Sequence, residues 1–534
     1  MLGVIERVIE NWLTSSNERS YQIPFCQLLA AEGETVIYFS SHGPFEQGKD
    51  VVTIGKNGKL RGYQLKSGDF GLSEWRKHKG EINDLVELPI SHPAIQPSRK
   101  HTPFLVTNGE INDPAIRAIN SANEAWHKRR YPILRTISKG ELLKRFLAAH
   151  GAYLPKKLSD FNLLMELILR DGHEPLDKEK VCKLLESVLP FANDGRLRQT
   201  EVKRSLSSAV LLIGYILQGA YALENHWAIF EAWTLAASYV LAVASKYDVA
   251  REGWSISFDL CEHGAIEALS SLCSECENRE HLIEGDPLTD GHFYYARVTL
   301  LVGLVSAWSL YHRIKHRQTG CDQFVRGFLR RWLFKMKIWG ESATPYFVMG
   351  ALETESLGDQ LVAESSLINV LTFVLHLNGQ RDSTRGLPSP YYSPEQALRL
   401  GYQLDQDCRE DFVGSAYTVH PLIDFLVRRL RRQALRSLWY PITGSSLRAF
   451  HPGERWEWFR WRSESGSLDS RFVGCPRSWS ALVREVNTVE VSALPELLRE
   501  RPAFAVLFSL VYPHRFTREL LKLIEGSLIS ASLG

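Results

Sequence analysis

Apolar and polar positions alternate in short runs over the first 150 or so residues and fall into longer helical spacing after them. TVIYFSS (35–41) is β-branched and aromatic, which predicts a strand. DVVTI and LRGYQLK flank GKNG, and Asn-Gly between apolar runs predicts a hairpin. FLVTN (104–108) and YPILRTI (131–137) predict two more short strands. Helical segments surround these. ERSYQIPFCQLLA (18–30) runs to Gly33, and Asp113 and Pro114 stand as N-cap and first helical residue of AIRAINSANEAWHKR. Ser138 and Glu141 have capping-box spacing ahead of ELLKRFLAAH. The segment 88–103 carries Pro89, Pro93, Pro97 and Pro103 and is predicted to be irregular. The order helix, three strands, strand, helix, strand, helix describes one α/β domain, a mixed sheet flanked by helices, over residues 1–152.

From Leu158 the strand signals fade. LLMELILR, EKVCKLLESVLPF, IFEAWTLAASYVLAVAS, FVRGFLRRWLFKMKIW and PLIDFLVRRLRRQALRSLWY all have helical spacing, without a fixed-period repeat. A large all-α domain is expected over 158–445. A C-terminal helical subdomain is expected over 446–534, opening with the Trp-rich GERWEWFRWR. Two apolar stretches, 209–227 and 298–311, are read as core helices and no membrane is expected. Glu224 and Asn225 interrupt the first, and the second is short of the roughly 20 apolar residues that a span needs. MLGVIERVIENWL has Glu6 and Glu10 in its apolar run and no basic start, so no signal peptide is expected there.

Composition changes this picture little. The 534 residues are 44% hydrophobic and 23% charged with a net charge of +2, so a nucleic-acid reading must rest on a local patch. Eight scattered cysteines fit a reducing, cytoplasmic setting.

The candidate chemistry sits on the hairpin, GKDVVTIGKNGKLRGYQLKSGD. Residues two apart on a strand share a face, so Gln64 and Lys66 point together. Asp50 offers the hard oxygen that Mg²⁺ demands, and the Leu65 carbonyl and Gln64 amide oxygen can add ligands. Lys66 can hold or activate a water and steady charge on a phosphate. These parts suffice for metal-assisted phosphodiester hydrolysis. A strict two-residue Asn57-Gly58 turn would set residue 50 opposite 65 and turn Asp50 away. The site therefore requires a one-residue offset, from a longer loop starting at Gly55 or a bulge at Gly62.

GKDVV, thirteen residues between Asp50 and Gln64, and QLK together resemble the PD-(D/E)XK nuclease superfamily, in its restriction-endonuclease-like, Mrr-type branch. NERSYQIPFCQLLAAEG resembles that branch's first helix, and the resemblance implies that Glu18, carried over by position in preference to Glu46, joins the metal site. The similarity covers roughly residues 10–150. Two positions depart from the family: Gln64 removes one negative charge, and Lys49 stands where the family has proline. The resemblance implies a Mg²⁺-dependent DNA endonuclease, with Mn²⁺ able to substitute, that cleaves invading duplex DNA in prokaryotic antiviral or anti-plasmid defence. Its helical region would sense a trigger, bind a partner protein or form a homo-oligomer. The alternatives are a non-catalytic adaptor on a degenerate nuclease fold and a DNA repair or recombination nuclease. Arg19, Lys49, Arg61 and the run holding Arg76, Lys77 and Lys79 are expected to contact phosphates.

Other constellations are weaker. Cys261, His263, Cys273 and Cys276 contain a CxxC half-site for zinc, but their surroundings read as helical. The basic stretches 324–337 and 428–436 could hold DNA or an acidic partner. Trp456, Trp458 and Trp461 are expected to pack in a core rather than stack on bases.

Overall fold

A computed structural model describes residues 2–40, 48–90, 95, 100–150, 157–191, 197–278, 291–317, 322–379, 386–401, 415–472 and 478–533. The chain packs as two units, 1–268 and 269–534. The boundary expected near residue 152 does not divide the contacts. In the first unit the helix Gln199–Ile216 lies directly on the helix that follows the N-terminal one. Gln27 Nε2 donates to Ser207 Oγ at 2.7 Å, and a Cβ on Gly214 would stand 2.5 Å from the Pro24 ring. Glycine is what permits that approach.

The first unit begins with α1 (Leu2–Ser15) and α2 (Glu18–Ala31), which Asn17 caps by accepting from the Ser20 N–H at 2.9 Å. There follow β1 (Thr35–Phe39), β2 (Val51–Ile54) and β3 (Leu60–Lys66), then α3 (Leu72–Lys77) and α4 (Lys79–Glu87). β4 (His101–Thr107), α5 (Asp113–Lys128), β5 (Arg135–Ile137) and α6 (Lys139–His150) complete the layer. The sheet runs β1-β2-β3-β4-β5, antiparallel across its first three strands and parallel across the last three, so the mixed sheet is as expected.

Two local readings change. Asn112, not Asp113, caps α5, by accepting from the Ala115 N–H at 3.0 Å. β4 starts at His101 and includes Pro103. β5 pairs only with Phe104–Val106, so the proline lies where that side of β4 has no strand partner. The charge run WRKHKG spans the junction where α3 and α4 meet at His78.

The hairpin loop decides which side chains share a face. β2 and β3 pair Val51 with Tyr63 and Ile54 with Leu60, and the Gly55 N–H donates to the Lys59 carbonyl at 2.9 Å. The loop is therefore three residues, Lys56 to Gly58, and Gly58 takes φ 72°, which glycine adopts without strain. Carried one step further, that register sets Asp50 against Gln64. The offset comes from the longer loop and not from Gly62, which pairs regularly with Val52.

The sheet's two faces are distinct. Gln64 pairs with Leu105, which is buried with Phe70, Trp75, Leu85 and Ile119 under α3, α4 and α5. Tyr63 stacks on Phe104 and meets Phe25 of α2 at 5.4 Å between ring centres.

The second unit is largely helical. The stretch 421–440 is not one helix. It breaks between Val419–Arg428 and Arg432–Gly444, where Leu430 adopts φ 57°. FVRGFLRRWLFKMKIW likewise stops being α-helical at Trp332. The expected all-helical 158–445 and 446–534 also carry a small sheet, β6 (Ser415–Ala416), β7 (Ser446–Pro452) and β8 (Gly466–Phe472), with β7 and β8 antiparallel. Trp458 and Trp461 are buried, as expected.

Among the described residues, three helices are long and apolar enough to cross a membrane by length and composition: His226–Lys246, Phe293–His316 and Gln360–Asn378. The first is 94% buried inside the protein and the last 44%.

Candidate functional site

The chemistry-bearing residues gather where α2 begins, β2 begins and β3 ends. Asp50 is buried immediately before β2, and its Oδ2 accepts the Leu65 N–H at 2.5 Å. This bond ties the start of β2 to the end of β3. Gln64 is 95% buried, and its Oε1 has no hydrogen-bond partner among the described residues. Lys66 extends from the same face as Gln64. Its Nζ lies 2.9 Å from Glu81 Oε2 and 3.9 Å from Glu18 Oε1. Its backbone carbonyl accepts from the Tyr21 hydroxyl at 2.8 Å, which ties β3 to the first turns of α2.

Electrostatics place the two expected acids in one locality. Burial raises the Tyr21 hydroxyl well above its ordinary value, and the negative charges of Glu18 and Asp50 raise it further. Burial also raises the Cys26 thiol, again with help from Asp50. Glu18 is the first residue of α2, where the helix N-terminus favours a carboxylate.

Sequence reasoning missed the residues that hold Lys66. Glu81 accepts from Lys66 and lies 3.2 Å from His78 Nδ1, and His78 Nε2 lies 3.4 Å from Glu74. Partial burial raises the Glu81 carboxyl, but Lys66 and then His78 outweigh this, and its net pKa is lowered. The spacing Glu74, His78, Glu81 marks one helical face, a signal hidden by the basic residues between them. Tyr21 stands three residues after Glu18 and so on the same side of α2.

Of the six expected phosphate contacts, Arg19, Arg76, Lys77 and Lys79 are exposed. Two are placed otherwise than expected. Lys49 is buried with its Nζ donating to the Asp84 carbonyl at 3.1 Å, and burial pulls its pKa down to about 8, against the opposing pull of Asp84. Arg61 pairs with Glu34 five residues back along β3, roughly 16 Å from Lys66 at strand rise. Glu46 lies outside the described residues.

Among the described residues, no group of three or more His, Cys, Asp or Glu side chains gathers as a metal centre. The donors here are two carboxylates, one amide oxygen and the Leu65 carbonyl. An orphaned buried acceptor costs about 1–3 kcal/mol, and a hard divalent cation takes oxygens of this kind. The donor set therefore fits Mg²⁺ or Mn²⁺ with one negative charge fewer than three acids would give. The possible zinc set does not converge. Cys261, His263, Cys273 and Cys276 all lie on the helix Ser255–Asn278, and the second cysteine is twelve positions beyond the first, roughly 18 Å of rise. The chain matches no protein-family model, no curated protein and no solved structure.

Proposed function

We propose that the N-terminal sheet carries a metal-dependent DNA endonuclease site of PD-(D/E)XK type. Glu18, Asp50, Gln64 and the Leu65 carbonyl would hold Mg²⁺, or Mn²⁺ in its place. A bound cation of this kind polarises a phosphate and lowers the pKa of water. The chain's own groups do the rest. Asp50 is held in place by the Leu65 N–H. Lys66 presents an ammonium beside the carboxylates, where it can orient the attacking water and steady the charge that develops on phosphorus. Arg19, Arg76, Lys77 and Lys79 offer sequence-independent contacts to the backbone of duplex DNA. The biological role that best suits such an enzyme is cleavage of invading DNA in prokaryotic defence, with the helical region as its control and as the seat of a partner or a homo-oligomer.

The observation that carries this reading is the buried Gln64 Oε1 with no donor, on the same strand face as Lys66 and opposite Asp50 in register. The test is incubation of the purified protein with plasmid, linear duplex, single strands and RNA, with and without Mg²⁺. Lys66→Ala should reduce Mg²⁺-dependent cleavage by at least ~100-fold. Equal cleavage by the variant would end the proposal. A second reading, a non-catalytic adaptor, draws on the uncharged Gln64 and on the engagement of Lys66 by Glu81. It expects no cleavage from any form of the protein.

A further inference from the structure

The basic stretch 324–337 lies wholly in the second unit. It folds as the helix Asp322–Trp332 and a following 3₁₀ turn, Leu333–Lys335. Its apolar side packs inward: Val325, Phe328, Leu329, Trp332, Leu333 and Met336 are buried. Gln323, Gly327, Arg330, Arg331 and Phe334 are exposed, and their spacing of three and four positions sets them on one outer face. Lys335 and Lys337 are exposed as well, and Arg326 is half-buried.

From 323 to 340 the chain has five cations, Arg326, Arg330, Arg331, Lys335 and Lys337, and no Asp or Glu. None of the five is in an ion pair with a described residue. That departs from the rest of a chain whose 63 Lys and Arg nearly match its 61 Asp and Glu. Aromatic rings hold three of them instead. The Arg331 guanidinium lies 5.0 Å and the Lys335 ammonium 4.5 Å from the Trp332 ring centre. Lys337 Nζ lies 3.6 Å from the Tyr295 ring centre. The Lys337 backbone is fixed by Thr299, whose Oγ1 accepts its N–H and donates to its carbonyl, both at 2.9 Å. A ring steadies a cation without neutralising it, so the positive field stays whole. Between Arg331 and Lys335, Phe334 is 70% exposed. One turn before Arg331 the face is bare, since a Cβ on Gly327 would meet nothing within 4 Å.

The chemistry of the face selects among anionic partners. A helix that lies in a lipid surface presents its apolar side to the acyl chains, whereas here that side is buried in the protein and Phe334 alone stands outside. The core of a protein interface is depleted in charge, and this face is charged throughout. Cations that follow a phosphate backbone beside a ring that takes a base are the parts of a single-strand site. A duplex keeps its bases stacked inside and leaves such a ring nothing to cover it. Arg326 and Lys337 are eleven positions apart, roughly 16 Å at helical rise, the reach of a few nucleotides.

We propose that the outer face of residues 323–337 binds single-stranded nucleic acid, its five cations following the phosphates while a base stacks on Phe334. This surface does not depend on the proposed nuclease chemistry. The test is fluorescence anisotropy with labelled oligothymidylate and oligouridylate in EDTA, where no metal-dependent cleavage enters. The full chain carries Arg76→Gln, Lys77→Gln and Lys79→Gln, so that cations of the first unit do not mask the second. At least one of the two oligonucleotides should bind. Adding Arg330→Gln, Arg331→Gln and Lys335→Gln together should weaken binding at least ~10-fold and flatten the slope of log affinity against log salt by about 2, or about 0.7 for each lost phosphate contact. Phe334→Ala should weaken binding at least ~5-fold with the salt slope unchanged. Arg484→Gln, at an exposed arginine of the helix Trp479–Asn487, should leave affinity as it was. Should the triple variant fail to fold, Gly327→Glu replaces it. Its side chain has open space to enter, and a carboxylate one turn from Arg331 should give the same ~10-fold loss. The proposal is overturned by no binding of either oligonucleotide, by native affinity in the folded triple, Gly327→Glu or Phe334→Ala chain, or by tighter binding of the matched duplex. Phosphatidylserine vesicles bound with the same dependence on Phe334 would overturn it in favour of a membrane. Polyglutamate that displaces the strand as well as unlabelled oligonucleotide does would overturn it in favour of an acidic protein.

Discussion

Two clusters of charge in this protein look alike by composition and differ in how their charges are answered. In the second unit, Arg313 grips Glu353 through Nε at 3.2 Å and Nη2 at 3.0 Å. Arg429 bridges Glu355 and Glu525, and Arg428 lies 2.5 Å from Glu525. Glu353 and Glu355 each meet a guanidinium fork, a geometry that suits carboxylates. At the sheet end of the first unit, one lysine faces Glu18 and Glu81, Asp50 takes a backbone N–H, and Gln64 Oε1 takes nothing. The first arrangement is scaffold. The second leaves a buried acceptor without a donor among the described residues. Arg428, Arg429 and Arg431 of the basic stretch 428–436 belong to the scaffold, since all three are in ion pairs with buried or half-buried acids.

The contrast can be broken most sharply at Asp50. Asp50→Asn should lower cleavage by about 10²–10⁴-fold while leaving the urea midpoint near that of the native chain. A plasmid assay and a denaturation curve on one preparation decide it, and a collapse of stability with no specific loss of cleavage would move Asp50 to the scaffold class. Glu353→Ala should do the reverse. It strands the Arg313 charge in the interior and should cost about 3–5 kcal/mol in urea unfolding. A loss below about 1 kcal/mol would show that these forks are not what holds the helices together. Gln64→Glu should tighten Mg²⁺ by about tenfold in calorimetry, because metal affinity follows ligand charge. An unchanged affinity would remove Gln64 from the ligand set.

The smallest effect belongs to Glu81→Gln. The side chain is half exposed, so the ion pair is worth at most about 1 kcal/mol after screening. The sign of its pH dependence is fixed. The folded carboxyl titrates below its ordinary value of 4.5, so its contribution is present above that pH and is lost as pH falls through the folded value. Native and variant unfolding midpoints should therefore converge in acid. Convergence in alkali instead would contradict the pairing.

The hairpin, Asp50, Gln64 and Lys66 were legible because strand parity and the Asn-Gly turn are local signals, and even the need for a one-residue offset followed from counting. The division of the chain was not legible. The helix Gln199–Ile216 reaches α2 through Gly214 against Pro24, a contact between residues nearly two hundred positions apart that no pattern near either one announces. β6, β7 and β8 were hidden for another reason: β6 is two residues long, and β8, GSLDSRF, has little of the apolar alternation that marks a strand. Glu81 escaped notice because its role depends on α4 lying over the end of β3, which is a tertiary fact. Arg61 and Lys49 were misjudged for the same reason. Charge near a site in sequence became a salt bridge to Glu34 in one case and a buried amine in the other.

The loop of Lys56, Asn57 and Gly58 has a consequence for how this chain can change. Surface connections commonly tolerate insertions and deletions. Here loss of Lys56 would leave the two-residue Asn57-Gly58 turn with Gly55 still opposite Lys59 and Asp50 still opposite Gln64. Loss of one residue inside β3, such as Gly62, would instead set Asp50 opposite Leu65, and Gln64 and Lys66 would exchange inside for outside relative to β2. Such a deletion keeps every charged group in the gene, and it gives inheritance a way to part Asp50 from Lys66 without touching the residues that a mutational survey would inspect first.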